Sequence, residues 1–194
     1  MKTEEKNYTE RLLRLEPRWK KLLPVQLPYR LHLQSLNLGY VLDLGCGIGR
    51  NLLNLEGNGI GVDHNPYSIE VARSRGLTAY TPVDFHRLQQ RENRLYDALL
   101  CSHVLEHMRQ CEALALIREY LPYLRSGGRV VMITPQESGF RSDASHLEFI
   151  DFNVLATIAT EAGLQVKRSY SFPFPRWIGR FFRHNEFVVI AHKP

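Results

Sequence analysis

Cysteine is scarce in this 194-residue chain: Cys46, Cys101 and Cys111 are the only three, and no two form a C-x-x-C pair. An odd count without paired spacing argues against a disulfide framework or a zinc knuckle and fits a reducing cytoplasm. Long apolar runs are missing as well. None approaches the roughly 20 residues that cross a bilayer, so no membrane span is expected. The opening stretch, MKTEEKNYTERLLRLEP, is charged and holds no apolar h-region, so no secretory signal is expected either. Internal repeats and low-complexity tracts are absent, which sets aside solenoids and disordered linkers. Acidic residues are missing from one stretch, Lys167 to His184, while Lys and Arg exceed Asp and Glu by five over the whole chain. That balance permits an acidic partner, although a solvated arginine surface accounts for it equally well.

What is present is an alternating pattern. Leu12, Leu13 and Leu15 among charges predict a helix over 3–16 that stops before Pro17, and a second helix is expected over 28–37. Short apolar runs at 40–44, 59–63, 96–101 and 129–134 each end in Gly, Asp, Ser or Pro and lead into helix-like stretches. Such runs read as buried parallel strands. Helices are expected over 49–55, 67–75, 112–125 and 151–162, with Gly76, Gly127–Gly128 and Gly163 closing the last three. The alternation predicts an α/β fold, a doubly wound and mostly parallel sheet with helices on both faces. Residues 164–171 and 186–192 are strand-like with no helix between them, so they should pair antiparallel at the sheet edge. The preferred expectation for FPFPRWIGRFFRHN between them is an arm whose aromatics fold back on the sheet while its arginines stay solvated. RNA stacking, a membrane surface and a partner subunit are the alternatives.

The sharpest local signal is Val41-Leu42-Asp43-Leu44-Gly45-Cys46-Gly47-Ile48-Gly49-Arg50, a strand, a glycine-rich turn and the start of a helix. A dinucleotide fingerprint needs G-x-G-x-x-G, but here the third glycine comes one place early and Arg50 stands at its site. Asp43 would also repel a pyrophosphate, whereas it could attract the ammonium of an amino-acid moiety. Asp63 closes the second strand, where an acid can accept ribose hydroxyls. Asp84 follows the third strand beside Phe85, a pair suited to an adenine.

These motifs together resemble the class I S-adenosylmethionine-dependent methyltransferases, nearest to the type 11 group. They are D-x-G-C-G-x-G, strand-end Asp63, V-D-F at 83–85, the stretch from Tyr96 to Leu105-Glu106-His107, and L-R-S-G-G-R-V-V-M-I-T-P at 124–135. The resemblance covers about residues 38–165. It implies a seven-stranded sheet in the order 3-2-1-4-5-7-6 with an antiparallel last strand, and a helical lid over 1–37 on a core over 38–194. It implies S-adenosyl-L-methionine as cofactor, with Asp43, Gly45, Cys46 and Gly47 at the methionine part and Asp63 and His64 at the ribose. Asp84 and Phe85 would frame the adenine, and Ser102 and His103 would lie under the sulfonium. Arg18 and Arg30 are further candidates for the methionine carboxylate.

On the acceptor side, Ser102-His103-Val104-Leu105-Glu106-His107 carries two imidazoles and a carboxylate. On a helix starting here, 103, 106 and 107 would share one face, a set suited to a divalent metal. Some relatives, certain ubiquinone-pathway O-methyltransferases and small-RNA terminal 2′-O-methyltransferases, hold a metal with E-x-x-E-H at this place. This chain has His103 where they have Glu, and the preferred expectation is that Glu106 and His107 fix the loop by hydrogen bonds without metal. His103 and His146 are the candidate bases, with His146 alternatively a fourth ligand. The expected activity is O- or N-methylation of a small molecule by a monomer or homodimer, without tight nucleic-acid binding. An RNA or protein methyltransferase and a non-catalytic cofactor-binding subunit are the competing readings.

Overall fold

A computed structural model describes Glu10 and residues 27–194. The helix expected over 3–16, Arg18 and most of the lid expected over 1–37 lie outside the described residues. The chain divides into two compact units, Met1–Arg94 and Leu95–Pro194.

The first unit contains α1 (Leu27–Ser35), β1 (Val41–Leu44), α2 (Arg50–Asn54), β2 (Gly59–Val62), α3 (Pro66–Ser74), β3 (Ala79–Tyr80) and α4 (Pro82–Glu92). β1 pairs with β2 and β2 with β3, both parallel, with Asp43 opposite Gly61. Every residue of β1 and β2 is buried, as a parallel strand covered on two sides requires. Local chemistry starts the helices. Asn65 accepts hydrogen bonds from the Tyr67 and Ser68 amides with Pro66 following, and Thr81 accepts from Asp84 N with Pro82 following. Cys46, Leu52, Ile69, Ala72, Leu77 and Ala79 form a shared core. Gly49 and Gly61 are among the glycines sterically required here. Gly49 has φ of 81°, and a Cβ on it would lie 2.2 Å from Leu77 Cδ1. A Cβ on Gly61 would lie 2.5 Å from the Cys46 sulfur.

The second unit contains β4 (Tyr96–Ser102), α5 (Gln110–Tyr120), β5 (Leu124–Pro135), α6 (Glu137–Phe140), α7 (Phe152–Glu161), β6 (Gln165–Phe172) and β7 (Glu186–His192). β4 and β5 are parallel, and β7 runs antiparallel to both β5 and β6. Asp151 caps α7 by accepting the Asn153 and Val154 amides. The strand order β3-β2-β1-β4-β5-β7-β6 is the one the resemblance implies, a seven-stranded, mostly parallel α/β sheet with an antiparallel last strand.

Two expectations need correction. The helix predicted over 112–125 begins at Gln110 and ends at Tyr120, because Pro122 cannot continue it and Leu121–Tyr123 tightens into a 3₁₀ turn. Gly127 and Gly128 therefore do not close that helix. They lie inside β5, where the register against β4 shifts between Tyr96 and Ala98. The segment between β6 and β7 also differs from the expectation. Its aromatics do not all fold back: Phe174, Trp177, Phe181 and Phe182 are exposed. Arg180 and Arg183 are exposed as expected, while Arg176, partly exposed, also pairs with Glu137 and lies over the Phe187 ring.

Candidate active site

Of the residues expected at the cofactor, Asp43, the glycine-rich loop and Asp63 lie at the carboxyl ends of β1 and β2 in the first unit. Asp43 is fully buried, with Asn51 Nδ2 3.5 Å from its Oδ1. Its Oδ2 has no hydrogen-bond partner among the described residues. Burial pushes this carboxyl up to about 7, Asn51 pulls it down and Asp63 adds to the rise. A buried acceptor left unmatched in this way is costly unless a donor arrives, and an ammonium group suits it.

Asp63 serves the glycine-rich loop. Its Oδ2 accepts Gly47 N at 2.8 Å and its Oδ1 accepts Asn65 N at 2.8 Å. Each oxygen keeps a second lone pair for a ligand hydroxyl. Gly45 N and Cys46 N both donate to Val62 O, which turns the loop back over β2. The Cys46 side chain itself is buried against Gly61, and burial together with Asp43 and Asp63 holds its thiol well above the usual range. His64 is exposed, with Nδ1 3.8 Å from Asp63 Oδ1. Asp84 sits in the first turn of α4, where its Oδ2 accepts from Thr81 Oγ1 at 2.9 Å. Phe85 is fully buried with the His86 ring at its side. Arg30 pairs with Glu56 at 2.8 Å.

The second unit carries the histidines. No helix starts at His103, so the single face expected for 103, 106 and 107 does not form. His103 has φ of 58°, a left-handed conformation that ends β4, and only the 3₁₀ turn Leu105–His107 follows. His103 Nδ1 lies 3.3 Å from Glu106 Oε1, and its Nε2 lies 2.7 Å from Glu186 Oε1. Burial works against its charge, but Glu186 and Glu106 outweigh it and raise the imidazolium to about 10. Ser102, just before it, is half-buried at the end of β4.

His107 and His146 turn the other way. His107 Nδ1 faces Ser145 O at 3.1 Å, and His146 Nδ1 faces Phe140 O at 2.8 Å. A carbonyl only accepts, so each Nδ1 carries a proton, and in the neutral ring it is Nε2 that holds the lone pair. Burial lowers the His107 imidazole, with Glu106 pulling it back. The two rings meet edge to face at 4.8 Å, and Phe140 stacks on His146. Glu106 is fully buried with its Oε1 4.0 Å from His146 Nε2, and among the described residues neither of its side-chain oxygens has an aligned hydrogen bond. Ligand atoms of Glu106, His107 and His146 lie within 4.8 Å of one another. Imidazoles oriented by backbone carbonyls beside a buried carboxylate fit a divalent ion. Sequence reasoning found His146 but missed Glu186, whose only signal is a lone acid opening the apolar run FVVIA. It also missed Asn51, in the first turn of α2.

The methyltransferase domain family matches residues 8–190. The ubiquinone biosynthesis O-methyltransferase of Hydrogenovibrio crunogenus is 24% identical over 189 residues, covering 83% of this chain and 76% of that protein. The protein of the same name from Xylella fastidiosa is 34% identical over 122 residues, covering 58% of this chain and 48% of its own length. The alignment thus spans about half the length of that relative. Among solved structures, the magnesium protoporphyrin IX methyltransferase of Synechocystis with bound SAH has a TM-score of 0.68 at 16% identity, covering 99% of this chain and 97% of that one. Such a likeness shows the fold. The chain belongs to the methyltransferase domain family, as a class I S-adenosylmethionine-dependent methyltransferase.

Proposed function

We propose that the chain methylates an oxygen or nitrogen of a small-molecule acceptor. The observation that carries this reading is the pair His107 and His146, each with Nδ1 tied to a backbone carbonyl so that Nε2 is the nitrogen left to accept, beside buried Glu106. Such a pair suits a hydroxyl or amine that must lose a proton as it is methylated. The relatives named as ubiquinone biosynthesis O-methyltransferases support oxygen.

On this reading Asp43 Oδ2 takes the methionine ammonium, and the backbone of Gly45 to Gly47 lines the methionine part. Asp63 accepts the ribose hydroxyls with His64 beside it. Asp84 and Phe85 border the adenine, Phe85 from within the core, and Ser102 and His103 face the sulfonium. The acceptor lone pair forms the new bond to the methyl carbon as the sulfur–carbon bond breaks, leaving S-adenosylhomocysteine. The acceptor proton passes to His146 Nε2. His103 is charged at neutral pH and so acts as a fixed cation, a positioning residue that holds Glu106 and Glu186. A divalent ion, when bound, would be held by Glu106, His107 and His146 and would stabilise an acceptor oxyanion; His146 Nε2 would then be a ligand rather than the base. Methyl-labelled S-adenosylmethionine offered with phenols, catechols and amines, with bulk tRNA and with cell protein tests the acceptor class. Label in the small-molecule fraction is expected; label confined to RNA or protein overturns the reading.

A further inference from the structure

Among the described residues, every exposed Phe or Trp lies between positions 174 and 182. Phe181 is 79% exposed, Trp177 66%, Phe174 45% and Phe182 37%. A fraying loop would explain such exposure, but this segment is fastened from below. Asn185, buried, accepts Phe174 N at 2.9 Å and donates to Phe174 O, Pro175 O and Gln136 Oε1. Gln136, also buried, donates in turn to Glu186 O and Ser171 Oγ. Gly179 presses on Gln136 so closely that no Cβ would fit. Ser138 Oγ donates to Phe181 O, Arg141 to Arg180 O, and Arg176 clasps Glu137. The backbone is held at many points while the rings stand clear of it.

Charge narrows the occupant. The stretch from Lys167 to His184 holds five Lys and Arg and no acid. Arg176 is taken up by Glu137, whereas Arg180 and Arg183 are exposed and flank Phe181 and Phe182 directly. Exposed Trp and Phe rings beside arginines are side chains that settle at a bilayer interface, rings toward the acyl boundary and guanidiniums among anionic headgroups. Nucleic-acid stacking uses aromatics that line a groove with cations along a backbone track, and a ring as exposed as Phe181 lines none. No helix among the described residues is long and apolar enough to cross a membrane, so the contact is peripheral.

We propose that the turn Phe174–Arg183 docks on an anionic phospholipid surface, with Trp177 and Phe181 inserting and Arg180 and Arg183 reading the charge. The proposal does not depend on the acceptor or on the metal.

The test is co-sedimentation of the full chain with phosphatidylcholine vesicles, with and without phosphatidylglycerol. A Trp19→Phe background leaves Trp177 as the fluorescence reporter. Binding to the anionic vesicles with a blue shift of Trp177 emission is expected. Trp177→Ser with Phe181→Ser should weaken binding at least tenfold, from the apolar surface withdrawn. Arg180→Gln with Arg183→Gln should weaken it about thirtyfold, from about 1 kcal/mol per basic residue. All four positions are exposed, and unchanged far-UV circular dichroism and melting confirm that the variants fold. No vesicle binding, binding indifferent to these substitutions, or capture of bulk tRNA or a protein partner through the same residues without vesicle binding would each overturn the proposal.

Discussion

His103 Nε2 stands 2.7 Å from Glu186 Oε1, joining the end of β4 to the first residue of β7. The same imidazole reaches Glu106 through its other nitrogen. One partly exposed cation thus serves two buried carboxylates.

Replacing His103 by Ala strands both acids. Losing one partner of a buried pair costs about 3–5 kcal/mol, and the 45% exposure of the His103 side chain reduces that to about 1–3 kcal/mol. Glu186→Gln combined with His103→Gln should recover part of the loss. A double-mutant cycle by urea denaturation measures the coupling, and a coupling near zero would show that the pair is incidental.

Asp43 gives the cofactor-free protein a pH dependence. Its carboxyl is pushed up to about 7 by burial, from an ordinary 3.8, so the folded chain keeps a proton that the unfolded chain releases. Stability therefore falls as pH rises between these two values and levels off above the upper one, by about 4 kcal/mol at most. Asp43→Asn should flatten the curve. Cofactor affinity should move oppositely in the wild type, strengthening as pH rises through about 7, because only the carboxylate attracts an ammonium. Denaturation and calorimetry across that range check both signs.

Asp63→Ala should weaken S-adenosylmethionine by about 2–4 kcal/mol, since hydrogen bonds to a charged group carry about 1.5–3 kcal/mol each. Part of the loss is indirect, because Gly47 N and Asn65 N lose their acceptor. Isothermal calorimetry is the measurement, and an unchanged affinity removes Asp63 from the ribose site.

His146→Gln should lower turnover roughly 10²–10⁴-fold while cofactor affinity holds, as expected for a base that acts in the transition state. Equal losses in both would point to collapse of the packing with Phe140 instead.

Gly49→Ala should cost about 1–3 kcal/mol. It combines a φ of 81° with a methyl only 2.2 Å from Leu77 Cδ1. A thermal melt suffices, and a neutral result would mean that Leu77 yields freely.

The order of the strands was legible through the family resemblance, whose motifs are short and local: D-x-G-C-G-x-G at the end of β1 and Asp63 after β2. Cys46 was harder to place, since nothing in a glycine-rich loop says which side chain turns inward toward Gly61. The acceptor side was legible only in composition. His103, Glu106 and His107 are adjacent in sequence, but the positive φ at His103 splits them into two partnerships. One partner, Glu186, lies 83 residues away on a strand that periodicity identified without assigning its acid a role. The exposed rings at 174–182 ran against expectation because sequence alone does not reveal a buried amide pair such as Gln136 and Asn185. That pair fastens the backbone so that the rings need not pack.

β7 has a further consequence, for the order in which the second unit is assembled. It enters between β5 and β6, so β6 pairs among the described residues with β7 alone. A growing chain therefore makes β6 before the only edge that can receive it, and long-range antiparallel pairing must wait for residues 186–192. Glu186 arrives with that strand. His103 thus gains its closest carboxylate only when the sheet closes, and the charge pattern beside the histidines is completed by the same event that finishes the fold.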